Sequence, residues 1–507
     1  MYVERLLEIL ARGPEQPALW WQDRPISRGR LRAEILAVAA ALHTEGIGPG
    51  RTVAILTRSN APATLTVRYA AHRLGATVTH VRSMNARADG DHLPVDAQAR
   101  ILAESGTTLL VTDAANAGRA ALLAGRVPGL RVRDVAAPAP VGVIAPVAEY
   151  RPEAVAVIDL TSGTTNAPKL VRQTYAARAA RVAGSFGERP PRDRPVLLSV
   201  TPISQATATL VDAVLLHEGT IVLHGAFDAD AFLDAVARHR VTDVYLAVPH
   251  LYRLIDRPGI GEADLSSLRA VIYSGTVATP ERIAVAYRIF GDRLAQLYGS
   301  TEAGGMCSLS PLDHTEPELL ASVGRPFPWL RLRLCVPGTD EPVVRGGVGE
   351  VGVAGDTLMA GYLGDPGPDA PVLRDGWLRT GDLGRLDRYG YLHLIGRTGN
   401  VIKANGLKIY PAEVERALLG HPEVAEAVVY QVVDPDRGEL AHAAVQWRPG
   451  ASRAVPPLRA HLTATLSAAH VPAVFHSCER IPLLPSGKPD VAALRLEGTV
   501  HQSPPAG

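Results

Sequence analysis

The sequence is short of lysine. Only four of its 52 basic residues are lysines, and they stand at positions 169, 403, 408 and 488. The remaining basic residues are arginines, which serve equally well in most surface ion pairs. Where lysine persists against such a bias, a compact point charge is the simplest requirement that explains it. These four positions are therefore candidates for function.

Net charge, cysteine and long apolar runs are also scarce. A formal net charge of +1 argues against a nucleic-acid-binding surface. The cysteines at 307, 335 and 478 have neither metal-binding nor redox spacing. No apolar run approaches the roughly 18–20 residues of a membrane span, and the segment MYVERLLEIL lacks a secretory signal core. We expect a cytoplasmic protein with no membrane span and no nucleic-acid partner.

The length and the order of the patterns predict two domains. A chain of 507 residues exceeds one simple core. Helical and β-like segments alternate up to about residue 310, which predicts βαβ units and an α/β fold. Short strands between Gly, Pro and Asp turns then predict a β-rich subdomain. The predicted boundaries are an N-terminal domain over 1–396 with its β-rich part at 322–396, a hinge at 397–399, a C-terminal α+β domain over 400–496 and a disordered tail at 497–507.

The segment 160-LTSGTTNAPKLV-171 concentrates hydroxyl groups beside a lysine, directly after an apolar run. Its spacing from Gly163 to Lys169 matches a Walker A loop, but Pro168 replaces the second glycine and Leu170 replaces the Ser/Thr that holds magnesium. A P-loop NTPase is therefore excluded. Backbone N–H groups and hydroxyls after a strand can still bind phosphate. For this segment alone, an exposed Ser/Thr turn is an equally good interpretation.

Further motifs follow in a fixed order. They are 297-LYGSTEAGG-305, 376-GWLRTGDLGRLDRYGYLHLIGR-397, 401-VIKANGLKIYPAEVE-415 and 485-PSGKPD-490. With the hydroxyl-rich segment, this set resembles the adenylate-forming superfamily of acyl-CoA synthetases, luciferases and peptide-synthetase adenylation domains. The resemblance implies a large N-terminal domain of two doubly wound sheets plus a β-barrel, and a small mobile C-terminal domain.

The resemblance also implies a reaction in two halves. A carboxylate attacks the α-phosphate of Mg-ATP to give an acyl-adenylate and pyrophosphate, and a thiol, usually that of coenzyme A, then attacks the activated carbonyl. The implied activity is an AMP-dependent acid–CoA ligase that uses ATP, Mg²⁺ and CoA, with a carrier-protein thiol as a possible acceptor. Two alternatives stay open: an enzyme that only converts a preformed acyl-adenylate to the thioester, and a catalytically silent nucleotide-binding relative.

Motif positions assign nucleotide-binding roles through the resemblance. Tyr298 lies against adenine, Thr301 contacts the α-phosphate and Glu302 binds Mg²⁺, a hard cation that prefers carboxylate oxygen. Asp382 accepts hydrogen bonds from the ribose hydroxyls with Arg397 nearby, although a turn aspartate and a surface ion pair are the alternatives. The remaining assignments are Thr161, Ser162, Gly163, Thr164, Thr165 and Lys169 for the β,γ-phosphates, and Ser274, Gly275, Thr276, Gly299 and Ser300 for the rest of the nucleotide.

The remaining lysines fall in the C-terminal motifs. Lys488 matches the lysine that stabilises developing negative charge during adenylation, and a solvated loop lysine is its alternative. Lys403, Gly406 and Lys408 match a hairpin that serves the thiol step, where the two lysines can also be plain exposed charges.

The acid is predicted to lie near Gln205, Ala206, Gly304 and Gly305. No aspartate stands at 203–205 to pair a substrate ammonium, which argues against an amino acid. Small side chains leave volume and favour a bulky hydrophobic acid, unless the glycines only serve turns.

Five positions depart from the usual pattern. They are Asn166 and Leu170, where the phosphate loop usually has glycines, Gln205, where many relatives carry a histidine or aromatic residue, Gly399 in the hinge, where Asp or Lys is usual, and Asn400 after it, where aspartate is common. These departures bear on adenylation more than on the thiol half-reaction.

Overall fold

A computed structural model describes most of the chain as two compact units. The described residues are 2–82, 93–161, 168–186, 193–204, 206–276, 278–364, 372–404, 407–434, 437–482 and 489–500. The first unit comprises Met1–Thr276, Ala286–Pro311 and Gly355–Pro368, and the second comprises Val277–Val285, Leu312–Ala354 and Asp369–Gly507. The domain boundaries given above stay a prediction.

The strands, in chain order, are β1 Pro17–Trp21, β2 Arg24–Ser27, β3 Thr52–Leu56, β4 Thr77–His80, β5 Thr107–Thr112, β6 Arg131–Asp134, β7 Val155–Thr161, β8 Lys169–Thr174, β9 Val196–Ser199, β10 Thr220–Leu223, β11 Asp243–Ala247, β12 Ala270–Ser274, β13 Leu294–Ser300, β14 Gly304–Leu309, β15 Arg325–Pro326, β16 Arg331–Cys335, β17 Gly349–Ala354, β18 Tyr362–Leu363, β19 Val372–Arg374, β20 Trp377–Leu386, β21 Leu392–Arg397, β22 Ile402–Ala404, β23 Leu407–Ile409, β24 Val424–Asp434, β25 Gly438–Trp447 and β26 Val474–Cys478.

The α-helices are α1 Tyr2–Leu10, α2 Arg28–Thr44, α3 Pro62–Arg73, α4 Val95–Glu104, α5 Ala117–Ala124, α6 Tyr175–Gly184, α7 Ala208–Leu216, α8 Ala229–His239, α9 Val248–Ile255, α10 Pro280–Phe290, α11 Pro411–Leu419, α12 Val455–Thr465 and α13 Val491–Val500. Within the described residues, no helix is both long and apolar enough to cross a membrane.

Two largely parallel sheets form the first unit. Its strands run in the orders β14-β13-β12-β11-β9-β10-β1-β2 and β18-β8-β7-β4-β3-β5-β6. Strand β3, TVAIL, is buried along its whole length, as expected for a parallel strand covered by helices on both faces. Because the carboxyl ends of parallel strands meet at one edge of a sheet, the segments after β9 and β12 share an edge.

Antiparallel pairing dominates the second unit. Strands β16, β17, β20 and β19 pair in that order, with β21 on β20. Strands β22 and β23 form a separate hairpin. Strands β24, β25 and β26 form a third sheet, and α11 and α12 share a buried apolar cluster with it that includes Val414, Leu458 and Val429.

The structure corrects the sequence interpretation at several elements. Residues 169–174 form a strand, β8, rather than the end of a loop, and LYGSTEAGG is a hairpin of β13 and β14. The polar residues of both segments concealed their strand character, because only some positions of these strands are buried. Helix α13 extends to Val500, and the predicted disordered tail over 497–507 stays a prediction.

Candidate active site

The turn between β13 and β14 carries the predicted magnesium ligand, Glu302. A Cβ at Gly299 would collide with the carbonyl oxygen of Gly304, so the two strands approach this closely only because residue 299 has no side chain. The backbone N–H of Ala303 donates to Ser300 Oγ at 3.1 Å. Glycine and a local hydroxyl therefore fix the turn that presents Glu302.

The Glu302 carboxylate is buried and oriented. The residue is only 7% exposed, and its Oε1 accepts a hydrogen bond from the Tyr362 hydroxyl at 2.7 Å. Its backbone carbonyl accepts from the Met359 N–H at 2.7 Å. Tyr362 opens β18, which pairs with β8 opposite Val171. The phosphate-side hairpin and the predicted magnesium ligand are thus joined through one short strand.

Arg181, which the sequence did not single out, anchors this turn through hydrogen bonds to backbone carbonyls. Its Nε donates to the Thr357 carbonyl at 2.8 Å, and its Nη2 donates to the carbonyls of Thr301 at 3.1 Å and Glu302 at 3.2 Å. Burial lowers the pKa of Arg181 to about 10, and the carboxylate of Asp159 opposes that shift. The guanidinium therefore stays charged at neutral pH and is directed at main-chain carbonyls of two segments.

Helix α6 positions Arg181 two turns after its start. Thr174, the last residue of β8, caps the helix by accepting from the Ala177 N–H at 3.1 Å. In the sequence YAARAARVAG, Arg181 has no feature that separates it from Arg178. Because arginine is common throughout this chain, an arginine at position 181 does not stand out as a candidate in the way that the four rare lysines do.

Backbone conformation accounts for two of the glycines predicted to lie in the site. Gly304 has φ +76° and a Cβ there would lie 3.0 Å from Arg181 Nε, while Gly275, just after β12, has φ +104° beside open space. Residues other than glycine rarely adopt these φ values. The small size of these glycines is therefore not, by itself, a sign of a bulky acid.

The ends of β7 and β8 close the base of the predicted phosphate loop. Thr161 and Lys169 are cross-strand partners, and Leu170 faces Leu160 as a buried pair. The departure at Leu170 is thus a core position of a strand rather than an obstructed loop. Ser162, Gly163, Thr164, Thr165 and Asn166 lie outside the described residues.

The segment after β9 leads to the predicted acid-binding residues. Gln205 lies outside the described residues, and Ala206 is exposed. Thr207 Oγ1 donates to the Pro202 carbonyl at 2.9 Å. Of the predicted acid contacts on this segment, Ala206 therefore stands beside a residue that is hydrogen-bonded back towards the carboxyl end of β9.

Asp382 and Arg397 are cross-strand partners of β20 and β21 in the second unit. Arg397 Nε donates to Asp382 Oδ1 at 2.8 Å, with the aspartate side chain 10% and the arginine side chain 48% exposed. The Asp382 N–H donates to Thr380 Oγ1, which donates to the Val351 carbonyl. The ion pair considered as an alternative is present, and it holds the Asp382 carboxylate in one orientation.

The β22–β23 hairpin presents two lysines directly opposite each other. Lys403 and Lys408 are cross-strand partners and both are exposed. The Lys403 N–H donates to Glu439 Oε2 at 2.6 Å, which ties the hairpin to β25. Like charges placed opposite each other destabilise a strand pair. The arrangement favours an anionic ligand, which would relieve the repulsion between the two lysines. The other residues predicted for the C-terminal motifs, Gly406 and Lys488, lie outside the described residues.

The donor set fits magnesium better than a metal held only by protein. Within the described ranges, no group of three or more His, Cys, Asp or Glu residues could hold a metal ion. Mg²⁺ typically binds through one or two carboxylates together with substrate phosphates and water. A single oriented carboxylate at Glu302 next to the Thr301 hydroxyl meets that requirement.

Comparison with known proteins agrees with this geometry. A family model described as AMP-binding enzyme matches residues 7–363, and one described as AMP-binding enzyme C-terminal domain matches residues 413–488. The chain is 31% identical to a medium/long-chain-fatty-acid–CoA ligase of Mycobacterium tuberculosis, over 97% of this chain and 89% of that protein. It is 33% identical to a feruloyl-CoA synthase of an Amycolatopsis species, over 94% of each.

A solved structure is also similar to this chain over nearly its whole length. The amide bond synthetase McbA from Marinactinospora thermotolerans aligns with a TM-score of 0.87 at 34% identity, covering 98% of this chain and 99% of that one. The predicted α/β fold class and the prediction of an AMP-forming acid–thiol ligase are confirmed. The chain belongs to the AMP-binding enzyme family, in the acyl-CoA synthetase branch of the adenylate-forming superfamily.

Proposed function

We propose that the protein activates a hydrophobic carboxylic acid with Mg-ATP and transfers the acyl group to coenzyme A. The observation that carries the proposal is the buried Glu302 carboxylate, oriented by Tyr362 in a turn that Arg181 anchors. A surface glutamate in a polar turn needs no such support. A carboxylate that must meet a metal and a nucleotide phosphate at fixed positions does.

The first unit supplies the groups proposed for the triphosphate. Glu302 binds Mg²⁺, which would neutralise phosphate charge, and Thr301 directs its hydroxyl at the α-phosphate. Lys169 places a point charge at the base of the β7–β8 hairpin for the β,γ-phosphates, opposite Thr161. Tyr298, half-buried on β13, supplies the ring against adenine. These groups orient the phosphates and offset the charge that develops there.

The second unit supplies the other proposed roles. Asp382, fixed by Arg397, accepts from the ribose hydroxyls. Lys488 stabilises the negative charge that develops as the acid meets the α-phosphate. Lys403 and Lys408 attract the phosphates of coenzyme A. A hinge at 397–399 that separates domains over 1–396 and 400–496 belongs to the same proposal.

Two arguments support a hydrophobic acid. Ile203 and Ser204 provide no carboxylate for an amino-acid ammonium. Relatives that share about a third of their residues with this chain are named for fatty acids and for feruloyl-CoA. A cytoplasmic location is also proposed, because Cys307, Cys335 and Cys478 are free thiols.

A second candidate concerns the acceptor. The likeness to an amide bond synthetase extends over nearly the whole chain, and an acyl-adenylate reacts with an amine as it does with a thiol. Because the same activated acid precedes both outcomes, the acceptor is decided after adenylation. Coenzyme A, a carrier-protein thiol and a primary amine are therefore compared in one assay.

The test starts each half-reaction separately. Purified protein is given ATP, Mg²⁺, a panel of hydrophobic acids and one acceptor, either coenzyme A or an amine, with release of AMP and pyrophosphate measured and products identified by mass spectrometry. In parallel it receives synthetic acyl-adenylate with coenzyme A or an amine. We expect thioester from both starting points. Activity only from acyl-adenylate would favour the narrower transferase, and no activity from either would refute the proposal.

Lys488→Ala sharpens the same assay. Removing one preorganised charge lowers the rate of such a step by about 10²–10³-fold. We expect that loss from ATP but near-normal rates from acyl-adenylate. Lys403→Ala serves as the matched lysine control and should leave the ATP-dependent release of pyrophosphate unchanged. Equal losses of Lys488→Ala from both starting points would contradict the assigned role.

A further inference from the structure

Asn60 adopts a backbone conformation that few residues tolerate. It stands just before α3 with φ +51°, in the left-handed region, and is 3% exposed. Asparagine and glycine enter this region at low cost, whereas most other residues are strained there. A buried polar residue in this conformation implies that its side chain has specific partners.

The Asn60 amide joins the segments that follow two neighbouring strands. Its Nδ2 donates to the Thr201 carbonyl at 3.0 Å and to the His224 carbonyl at 2.7 Å, and its Oδ1 accepts from the Ile203 N–H at 2.9 Å. Thr201 and Ile203 follow β9, and His224 follows β10. The partners fix the orientation of the amide, because carbonyls need its nitrogen and the N–H needs its oxygen.

A side chain from the helix that follows Asn60 holds the next part of the chain. Arg68 of α3 is fully buried, and its Nη1 donates to the Ile203 carbonyl at 2.8 Å. Its Nη2 donates to Asp212 Oδ1 at 3.0 Å, on α7. Residues 203–212 are therefore fixed at both ends from the region of α3. The predicted acid contacts, Gln205 and Ala206, lie between the two anchors.

We propose that Asn60 is a positioning residue for the acid substrate. It sets the place of the segment 201–203 and, through it, that of Ala206. The inference rests on the proposed function, since it needs an acid bound at that position. The hydrogen bonds of Asn60 among the described residues go to residues 199–203 and 224, and the groups proposed for the triphosphate lie on other segments. Loss of Asn60 therefore weakens acid binding and leaves ATP binding intact.

Asn60→Gly is the first test, because glycine keeps the left-handed backbone and deletes the amide. We expect the KM for the acid to rise about tenfold, as loss of these hydrogen bonds would give, with the KM for ATP changed less than about twofold. Asn116→Gly is the matched control. Asn116 is also 3% exposed, but its amide bonds to Asp113 at 2.6 Å in a short helical turn. It should lower stability without changing the KM for the acid.

Asn60→Asp is a second test of the proposal, to be used if the Asn60→Gly variant is unstable. Aspartate retains the acceptor for the Ile203 N–H, but its ionised form sets negative charge against carbonyl oxygens. Its protonated form regains one donor. The ratio of acid KM values, Asn60→Asp over wild type, should therefore fall as the pH is lowered from about 8 to about 6.

The outcomes separate the two proposals. A wild type that forms no acyl-adenylate or thioester overturns the proposed function and this inference with it. An active wild type overturns the inference alone if acid and ATP KM values rise together in Asn60→Gly, if neither changes, or if the Asn60→Asp ratio is independent of pH.

Discussion

The turn at Glu302 and the hairpin of Lys403 and Lys408 differ in how their charged groups are surrounded. Around Glu302, a buried carboxylate and several carbonyls are each satisfied by specific donors. On the β22–β23 hairpin, two exposed cations face each other. We expect the first arrangement to lose fold stability and activity together when one donor is removed. We expect the second to lose a charge with little effect on the fold, so that its variants test the proposed role of the two lysines alone.

The largest effect is expected from Arg181→Met, which tests how far the Glu302 turn depends on its buried donor. Three carbonyls would lose their partner, which costs about 2–4 kcal/mol of unfolding free energy. Displacement of Thr301 and Glu302 should slow adenylation about 100-fold. Urea unfolding and pyrophosphate release measure the two effects.

Arg172→Met is the control for Arg181→Met. Arg172 lies on neighbouring β8 and donates to one carbonyl, that of Ala360, at 3.1 Å. It should cost no more than about 1 kcal/mol. If the Arg181 variant proved as stable and as active as the control, the dependence of the turn on a buried donor would be refuted.

Tyr362→Phe should produce the next largest effect, because it removes one hydroxyl from the Glu302 carboxylate and keeps the ring. A hydrogen bond to a charged group contributes about 1.5–3 kcal/mol. We expect the Mg²⁺ concentration for half-maximal pyrophosphate release to rise at least about tenfold.

The control removes a hydroxyl that bonds an exposed carboxylate. Tyr287 donates to Asp292 Oδ1 at 3.0 Å on the surface, and Tyr287→Phe should leave the Mg²⁺ dependence unchanged. An unaltered Mg²⁺ requirement in Tyr362→Phe would argue that Glu302 does not need its orienting partner.

Lys403→Gln and Lys408→Gln, made singly, examine the exposed side of the comparison. Relief of the like-charge pair should raise stability by a few tenths of a kcal/mol, roughly the size of a cross-strand pair effect. The rate from acyl-adenylate and coenzyme A should fall several-fold, and more at low salt. Lys403→Arg keeps the charge and should retain most of that rate. Equal slowing of pyrophosphate release would remove the distinction between the two regions.

The smallest effect is expected from Arg397→Gln. The arginine side chain is 48% exposed, and exposed ion pairs contribute about 0–1 kcal/mol. The midpoint of urea unfolding should hardly move, while the KM for ATP should rise about two- to threefold because Asp382 loses its orienting donor. A large fall in stability would mean that the ion pair is more deeply involved in the fold of the second unit.

The parallel strands could be predicted because each is a short run of mostly apolar residues in the sequence. VAVIDL, DVYLAV and AVIYSG all correspond to observed strands. Strand β8 could not be recognised in this way, because four of its six residues, Lys169, Arg172, Gln173 and Thr174, are polar. The β13–β14 hairpin was equally hidden, since its tight approach depends on glycine rather than on apolar residues.

Some residues of the candidate site could likewise be predicted from the sequence, and others could not. Motif position identified Glu302 and Asp382, whose side chains the structure finds buried and oriented. Arg181 and Asn60 escaped notice because each acts through carbonyls of residues distant in sequence. Such contacts leave no local pattern, and only the fold brings the partners together.

The backbone of the glycines has a practical consequence for changing the acid that the enzyme accepts. Saturation libraries usually begin with the smallest residues around a substrate, which would single out Gly275, Gly299 and Gly304. Gly299 has no room for a Cβ, and the other two have φ values of +104° and +76°, so substitutions there would strain the backbone and lower stability together with any change in selectivity. Ala206, exposed on its turn, is the position at which diversity would reach the screen.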